Sequence, residues 1–334
     1  MAKRATQKDV ARLAGVSQAA VSIVLTGAGT GSIPAETWQR ITDAARKLGY
    51  APNRFAQGLR TRRAMTVAFV VPDITNPFYP MLMRGIQTVT QEHSYDVIAI
   101  STDGVAEGER RFLDWTRQGR VDGVIGVFFT LSARDFRPLL DAGIPVVRIE
   151  AQKKCGGDIP LDDIYVDSYA AARSLTEYLI ARGHTRVAMI AGRGGPQNAR
   201  LEGYNAALRE VGRAPYVVID DVFNEEGGFR AAQAALDSGY GPTAIFAAND
   251  LMAIGAMRGL RERGISIPRE IAVAGFDDIL AAKLVAPSLT TVTQFQGNMG
   301  IKAAQVLMDR LRGENPVRGR VFEMPFRLIM RDST

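Results

Sequence analysis

The chain has 334 residues, 46% of them hydrophobic, with a formal net charge of +6 and a single cysteine. That size predicts two or three folding units with real cores and excludes wholesale disorder. No run approaches the roughly 18 uncharged apolar residues that a membrane helix needs, and the lone Cys155 excludes an internal disulfide. The first residues, "MAKRATQKDVARLAGV", are charged but lack an apolar leader segment and a small-residue cleavage site, so a cytoplasmic location is expected. Charge is uneven. Residues 1–63 hold eleven Lys or Arg against three acids, a net of +8, while the remainder holds 30 against 32. A basic head on a near-neutral body is the footprint of a polyanion-binding module.

The head, "TQKDVARLAGVSQAAVSIVLTG", reads as helix, tight turn, helix. Thr6 is a candidate N-cap, and Val10, Leu13 and Ala14 share one helical face. Ala14, Gly15 and Val16 make the turn, and Ser17 caps a second helix whose Ala20, Val21, Val24 and Leu25 face inward. A third helix opens at Pro34, carries Ile41, Ala45 and Leu48 into the core, and stops at Gly49. Between the second and third helices lies the stretch Gly27 to Gly31. A dinucleotide loop needs a buried strand before its glycines, whereas the preceding segment here has helical period. The glycines are expected to be a joint between helices.

The segments "KDVARLAGVSQAAVS" and "ETWQRITDAARKLGYAPNRFAQGLR" together resemble the head of the LacI/GalR (lactose-repressor) family of bacterial transcription regulators. The resemblance implies a second helix in the DNA major groove, with Gln18, Ala19 and Ile23 reaching base edges. Thr6, Ser17 and Ser22 would contact phosphates, and Thr26, Asn53 and Arg60 fall on the DNA side by the same match. The family often has Thr at position 20, Arg at 23 and Asn at 26, where this chain has Ala20, Ile23 and Thr26. Ile23 offers a methyl contact where Arg would read guanine, so an operator sequence should not be borrowed from relatives.

In the linker, "YAPNRFAQGLRTRRA", Asn53 is a possible cap and Phe55, Ala56 and Leu59 have helical spacing, although Gly58 and the charge make an isolated helix marginal. Taken alone, Leu59 fits packing against the body. The resemblance instead implies a hinge helix that orders on DNA, with Leu59 wedged between base pairs from the minor groove. Gln57 stands where the family usually has Arg.

From Met65 onward strands alternate with helices. "TVAFVVP", "YDVIAIST" and "DGVIGVFF" are buried-strand runs separated by helices through Met83 and Ile86 and over 107–118. "RVAMIAG", "YVVID" and "TAIFAAND" repeat the plan, with helices through Tyr204 and Leu208 and after Glu225. Val67 and Val124 are 57 positions apart, as are Val187 and Ala244. This echo predicts an α/β body of two similar parallel-sheet lobes. The expected division is a head at 1–50, a hinge at 51–64 and a two-lobed, dimer-forming body at 65–334. One lobe would take 65–161 and 291–321, the other 162–290 and 322–334.

Ligands in such lobes bind beyond the carboxyl ends of the strands, where Asp73, Asn76, Glu150, Asn249, Asp250, Asp277 and Asp278 collect. Asp73 and Asn76 are expected to shape the turn before Pro77. The resemblance continues through "GHTRVAMIAG", "IPREIAVAGFDD", "PSLTTVTQ" and "RLIMRDST", and implies a periplasmic-binding-protein-like clamp around a small effector. Carried over by position, its residues are Phe78, Glu150, Arg200, Phe223, Asn249, Asp277 and Gln294. Carboxylates, an arginine and a flat ring suit a sugar or polyol; two Phe residues leave a purine-type effector open. Glu150 and Asn249 also fit roles as strand-end caps.

His93 and His184 are the two histidines, and no Cys or His grouping has metal-ligand spacing, so neither catalysis, a metal nor a cofactor is expected. Two functions remain. The first is a regulator, expected from the resemblance to act as a repressor, that binds double-stranded operator DNA as a homodimer under effector control. The second is a sugar-binding transport or sensory protein without DNA function. The +8 head favours the regulator, which needs no membrane and would sit with the nucleoid.

Overall fold

The computed structural model describes residues 5–26, 33–51, 63–150, 152–153, 158–193, 195–313 and 318–334. The glycine joint at 27–32 and the linker positions Asn53, Leu59 and Arg60 lie outside the described residues. The chain divides between Ala64 and Met65 into two compact units.

The head contains α1 (Gln7–Ala14), α2 (Gln18–Thr26) and α3 (Ala35–Lys47). The Thr6 backbone N–H and hydroxyl both donate to Asp9 Oδ2, at 3.0 and 2.6 Å, and this fixes the start of α1. Gly15 turns the chain at φ 63°, a left-handed position that suits glycine. Ser17 Oγ then accepts from the Ala20 N–H at 3.1 Å and starts α2. Eight side chains form the core: Val10, Ala11, Ala14, Val21, Val24, Ile41, Ala44 and Ala45. Leu13, expected in this core, is instead 47% exposed. The buried stripe of α1 is rotated toward Ala11, because α1 packs on both α2 and α3 and the small alanines allow the close approach.

The body starts with β1 (Thr66–Val71), α4 (Phe78–Glu92), β2 (Asp96–Ser101), α5 (Ala106–Thr116), β3 (Gly123–Gly126), α6 (Arg137–Asp141), β4 (Val146–Glu150) and β5 (Asp162–Val166). It continues with α7 (Ser168–Ala181), β6 (Val187–Ala191), α8 (Gln197–Glu210), β7 (Tyr216–Ile219), α9 (Glu225–Asp237), β8 (Ala244–Ala247), α10 (Asp250–Glu262) and β9 (Ala272–Ala274). It closes with α11 (Leu280–Leu284), β10 (Thr291–Thr293), α12 (Gln296–Leu311), β11 (Val321–Met324) and β12 (Arg327–Ile329).

The first lobe is a six-stranded sheet in the order β11-β5-β4-β3-β1-β2, all parallel. The second is a parallel sheet β7-β6-β8-β9, and β10 and β12 pair antiparallel beside it. The central strands β1, β3, β6 and β8 are apolar on both faces, as befits parallel strands covered by helices. The 57-residue echo has a physical basis in the second lobe, where Val187 and Ala244 are register partners. In the first lobe the partner of Val67 is Gly123, one residue off.

The expected lobe boundaries need correction. β5 belongs to the first sheet, so that lobe runs through Val166. β11 pairs with β5 in the same sheet, whereas β10 reaches the second lobe through the Asp277–Thr293 bridge. The polar pair Asp162-Asp163 is fully buried at the start of β5. Asp163 holds Arg148 of β4 at 2.8 and 2.9 Å, and Asp162 holds Arg310 of α12 at 2.8 Å. Burial opposes the Asp162 charge, yet the Arg310 and Arg320 hydrogen bonds win and hold its carboxyl below the usual range. The chain crosses between lobes after β5, after β10 and after β11. In the first lobe α12 lies tightly on α4, and a Cβ at Gly85 or Gly300 would strike the opposite backbone.

Ile41→Ala is expected to open a cavity worth about 2–4 kcal/mol, close to the whole margin of so small a head. Calorimetry of the full chain should show the head transition lost and the body transition in place; a shifted body transition would show that the units do not unfold separately.

Candidate functional site

The carboxyl ends of the strands converge on one guanidinium. Arg200, in the first turn of α8, is 3% exposed and donates to the Ala248 carbonyl at the end of β8. Its Nη2 faces Asp277 Oδ1 at 3.4 Å, and its plane covers the Phe276 ring at 3.7 Å. Gln294 Nε2 donates to the same Asp277 oxygen at 2.7 Å, and Gln296, the first residue of α12, donates to the Asp277 carbonyl. Asp277 adopts φ 118°, a left-handed value that a non-glycine residue holds only under such constraint.

The first lobe brings Tyr79, whose hydroxyl is pushed up by burial and then by the charge of Asp277. Phe78 meets Tyr79 edge-on at 5.3 Å. The turn that presents them is made by Asp73, whose Oδ1 accepts from the Thr75 N–H at 2.8 Å, and by Asn76, whose Oδ1 accepts from the Phe78 N–H at 3.0 Å. Phe129 also crosses between the lobes, its ring lying against Gly195. The Phe129 loop is held by a buried carboxylate: Glu109 accepts from the N–H groups of Phe129, Thr130 and Leu131 at 2.6, 3.0 and 3.1 Å. Neither Phe129 nor Glu109 stands out in the sequence, because the contacts of both span about 20 residues or more and follow no local spacing.

Arg200, Asp277 and Gln294 thus touch directly, with Phe78 alongside through Tyr79. Asn249 is committed to the protein: its Oδ1 caps α10 on the Met252 N–H at 2.7 Å, and its Nδ2 donates to the Phe223 carbonyl at 3.3 Å. That bond sets the Phe223 loop. Glu150, at the end of β4, faces Arg148 at 3.5 Å.

In the head, Ser17, Gln18 and Ala19 are exposed at the start of α2, and Ser22 and Ile23 are half-buried one turn on. Gln18 Nε2 donates to Gln7 of α1 at 3.2 Å, which ties the two helices. Thr6 is exposed at the N-terminus of α1. A polar edge with two helix N-termini, free of acidic side chains except the capping Asp9, is suited to a phosphate backbone.

Two family models match: the bacterial regulatory proteins of the lacI family over residues 6–53, and a periplasmic binding protein-like domain over 176–334. The transcriptional regulator DegA of Bacillus subtilis is 32% identical over 340 residues, covering 99% of this chain and 98% of its own. The chain belongs to the LacI family. It is also 35% identical to the ribose operon repressor of Escherichia coli over 312 residues, covering 92% and 93% of the two chains. The Lac repressor dimer bound to operator and the anti-inducer ONPF superposes with a TM-score of 0.85 at 26% identity, covering 99% of each chain. As a LacI-family protein the chain is a DNA-binding transcriptional regulator with an effector-binding body, and the relatives just named are regulators, not enzymes. Among the described residues no cluster of His, Cys, Asp or Glu could hold a metal ion, and no helix is long and apolar enough to cross a membrane. His93 and His184 lie at the far ends of α4 and before β6, away from the Arg200 group.

Burial dominates the electrostatics here. Asp277 is pushed up to about 6 by desolvation, against the pull of Arg200. Asp250, fully buried behind it, is pushed up to about 7 by desolvation and then by the Asp277 charge. Asp250 keeps two donors, the Ile279 N–H at 2.9 Å and the Thr291 hydroxyl at 2.5 Å. A carboxyl raised from its ordinary 3.8 to about 7 binds its proton more tightly folded than unfolded. Its contribution is therefore full below pH 4 and is lost as pH rises to 7, a swing on the order of 4 kcal/mol. Asp250→Asn should be more stable than the parent in urea unfolding at pH 8, with the gap narrowing as pH falls below 7 and closing only near pH 4. A gap that does not change with pH would contradict the assignment.

Proposed function

We propose that this regulator is a homodimeric repressor, cytoplasmic and nucleoid-associated, whose grip on operator DNA is set by a sugar or polyol held between the two lobes. It has no catalytic step and needs no cofactor. The observation that carries the reading is the Arg200, Asp277 and Gln294 cluster at the strand ends of the second lobe, tied to the first lobe through Gln296 of α12. A small molecule bound there touches the groups that fix how the lobes meet.

On this reading α2 enters the major groove, with Gln18, Ala19 and Ile23 at base edges and Thr6, Ser17 and Ser22 on phosphates. Thr26 and, in the hinge, Asn53, Leu59 and Arg60 extend the same contact, Leu59 as the minor-groove wedge. Phe78 and Phe223 supply apolar faces for ring C–H groups, and Glu150 and Asn249 border the ligand. The second copy is supported by Leu280 and Leu284, one turn apart on α11 and 70% and 74% exposed. Apolar side chains this open, on one helix face, fit a protein partner.

The test is a gel-shift titration against salt with a palindromic operator. Binding should weaken with a log–log slope of about −0.9 per phosphate neutralised. Arg200→Ala should remove every effector response and leave operator affinity near that of the parent. Absence of DNA binding at low salt would defeat the regulator reading; a retained response would defeat the clamp assignment.

A further inference from the structure

Two buried polar atoms in the first turn of α8 have no hydrogen-bond partner: Gln197 Oε1 and Arg200 Nε. Gln197 is 1% exposed. The two residues are three apart on a helix, so their side chains leave the same face. The Gln197 amide lies over Gly192, the residue that follows β6; a Cβ there would sit 2.9 Å from Oε1 and 3.0 Å from the Phe223 ring. The glycine leaves the amide and the ring side by side at the strand ends. A buried acceptor and a buried donor without partners are costly, and such groups call for a ligand that completes them.

The surrounding charges define which ligand. Arg200 faces Asp277, and Asp250 adds a second buried carboxyl beside it. This one buried arginine is outnumbered by the carboxyl groups around it. A phosphate or carboxylate would find no uncompensated cation there. A hydroxyl both donates and accepts, so one hydroxyl, or a neighbouring pair, satisfies both open atoms without bringing charge.

We infer that Gln197 is a specificity-determining residue of the effector site, its Oε1 accepting from a ligand hydroxyl whose oxygen, or whose neighbour's, accepts from Arg200 Nε. The ligand is therefore uncharged and rich in hydroxyls. This rests on the clamp reading above, adds a residue to it, and narrows its sugar or polyol to one that bears no charge.

The experiment is calorimetric titration of the full-length protein with ribose, glucose, cellobiose, their 2-deoxy analogues where these exist, ribose 5-phosphate and hypoxanthine. The parent, Gln197→Met and Arg200→Ala are compared. Expected is binding of a free sugar, at least tenfold weaker in Gln197→Met and absent in Arg200→Ala. On the parent protein, removing the hydroxyl that Gln197 reads should also cost at least tenfold, and Gln197→Met should no longer distinguish the two sugars. That comparison needs a ligand pair rather than the variant alone, so a Gln197→Met chain that fails to fold leaves the parent data decisive: deoxy sugars that bind as well as their parents overturn the proposal. Sugar binding that survives Gln197→Met within twofold but is lost in Arg200→Ala overturns the Gln197 role and leaves the clamp intact. If ribose 5-phosphate or hypoxanthine binds instead, the hydroxyl-rich class is wrong while the clamp stands. If no probe binds a protein that still shifts operator DNA, both readings fall.

Discussion

Arg200 carries its charge in a place where water barely reaches, and the elements around it are arranged by that fact. A guanidinium has five donors in a rigid fork and stays protonated, so burying it requires acceptors in a fixed plane. The Ala248 carbonyl ends β8, Asp277 follows β9, and the Phe276 ring closes the lower face. Two separate loops, the one after β8 and the one after β9, are thereby held to one side chain. The carboxylate partner is itself desolvated, and at 3.4 Å the attraction does not offset the burial of both groups, which is why Asp277 is raised toward neutrality although it sits beside a cation.

Because Asp277 also receives Gln294 and Gln296, the same constraint extends out of the second lobe. Gln296 opens α12, and α12 lies against α4 through Gly85 and Gly300 with no room for a side chain between the backbones. At the other end of α12, Arg310 is locked to Asp162 of β5. A displacement of Asp277 therefore has a stiff route into the first lobe: through the start of α12, along its contact with α4, to the sheet edge at β5 and β11. Close-packed interfaces of this kind move between discrete arrangements rather than deforming continuously. Coupling between two sites through such an element is reciprocal and is typically ~1–3 kcal/mol.

Much of this plan is legible in the sequence, for reasons that can be stated. Parallel strands buried on both faces leave unbroken apolar runs such as "TVAFVV" and "VAMIA", and Ser17 and Gly15 mark helix ends through local chemistry. What was hidden is non-local. The burial of Asp162 and Asp163 in β5 depends on Arg148 and Arg310, both distant along the chain. Leu13 has the spacing of a core residue, but a core built on alanines has no room for it. Asn249 has the chemistry of a ligand residue, yet both ends of its amide are used within the protein, on the Met252 N–H and the Phe223 carbonyl. Gln197 shows the reverse: nothing in "GPQNAR" distinguishes its amide from a solvated one, and only its burial over Gly192 does.

The contrast between Asn249 and Gln197 bears on how such a site discriminates. An amide already held at both its oxygen and its nitrogen, as Asn249 is, has only its second lone pair and second N–H left for a ligand. An unsatisfied one offers the difference between an unpaired and a paired buried group, and that difference appears only for a ligand with the matching atom at the matching place. Contact area alone gives little selectivity between similar small molecules, whereas a missing hydroxyl opposite a buried polar group is penalised strongly. Binding energy gained in this way is also well placed to act on the lobes. Arg200 is shared between the open ligand-facing Nε and the Asp277 contact, so completing its hydrogen bonds and repositioning Asp277 are one event. A ligand shifts an equilibrium only by its differential affinity for the two states. A guanidinium that belongs at once to the proposed ligand site and to the Asp277 contact, which Gln296 carries into the first lobe, provides that difference.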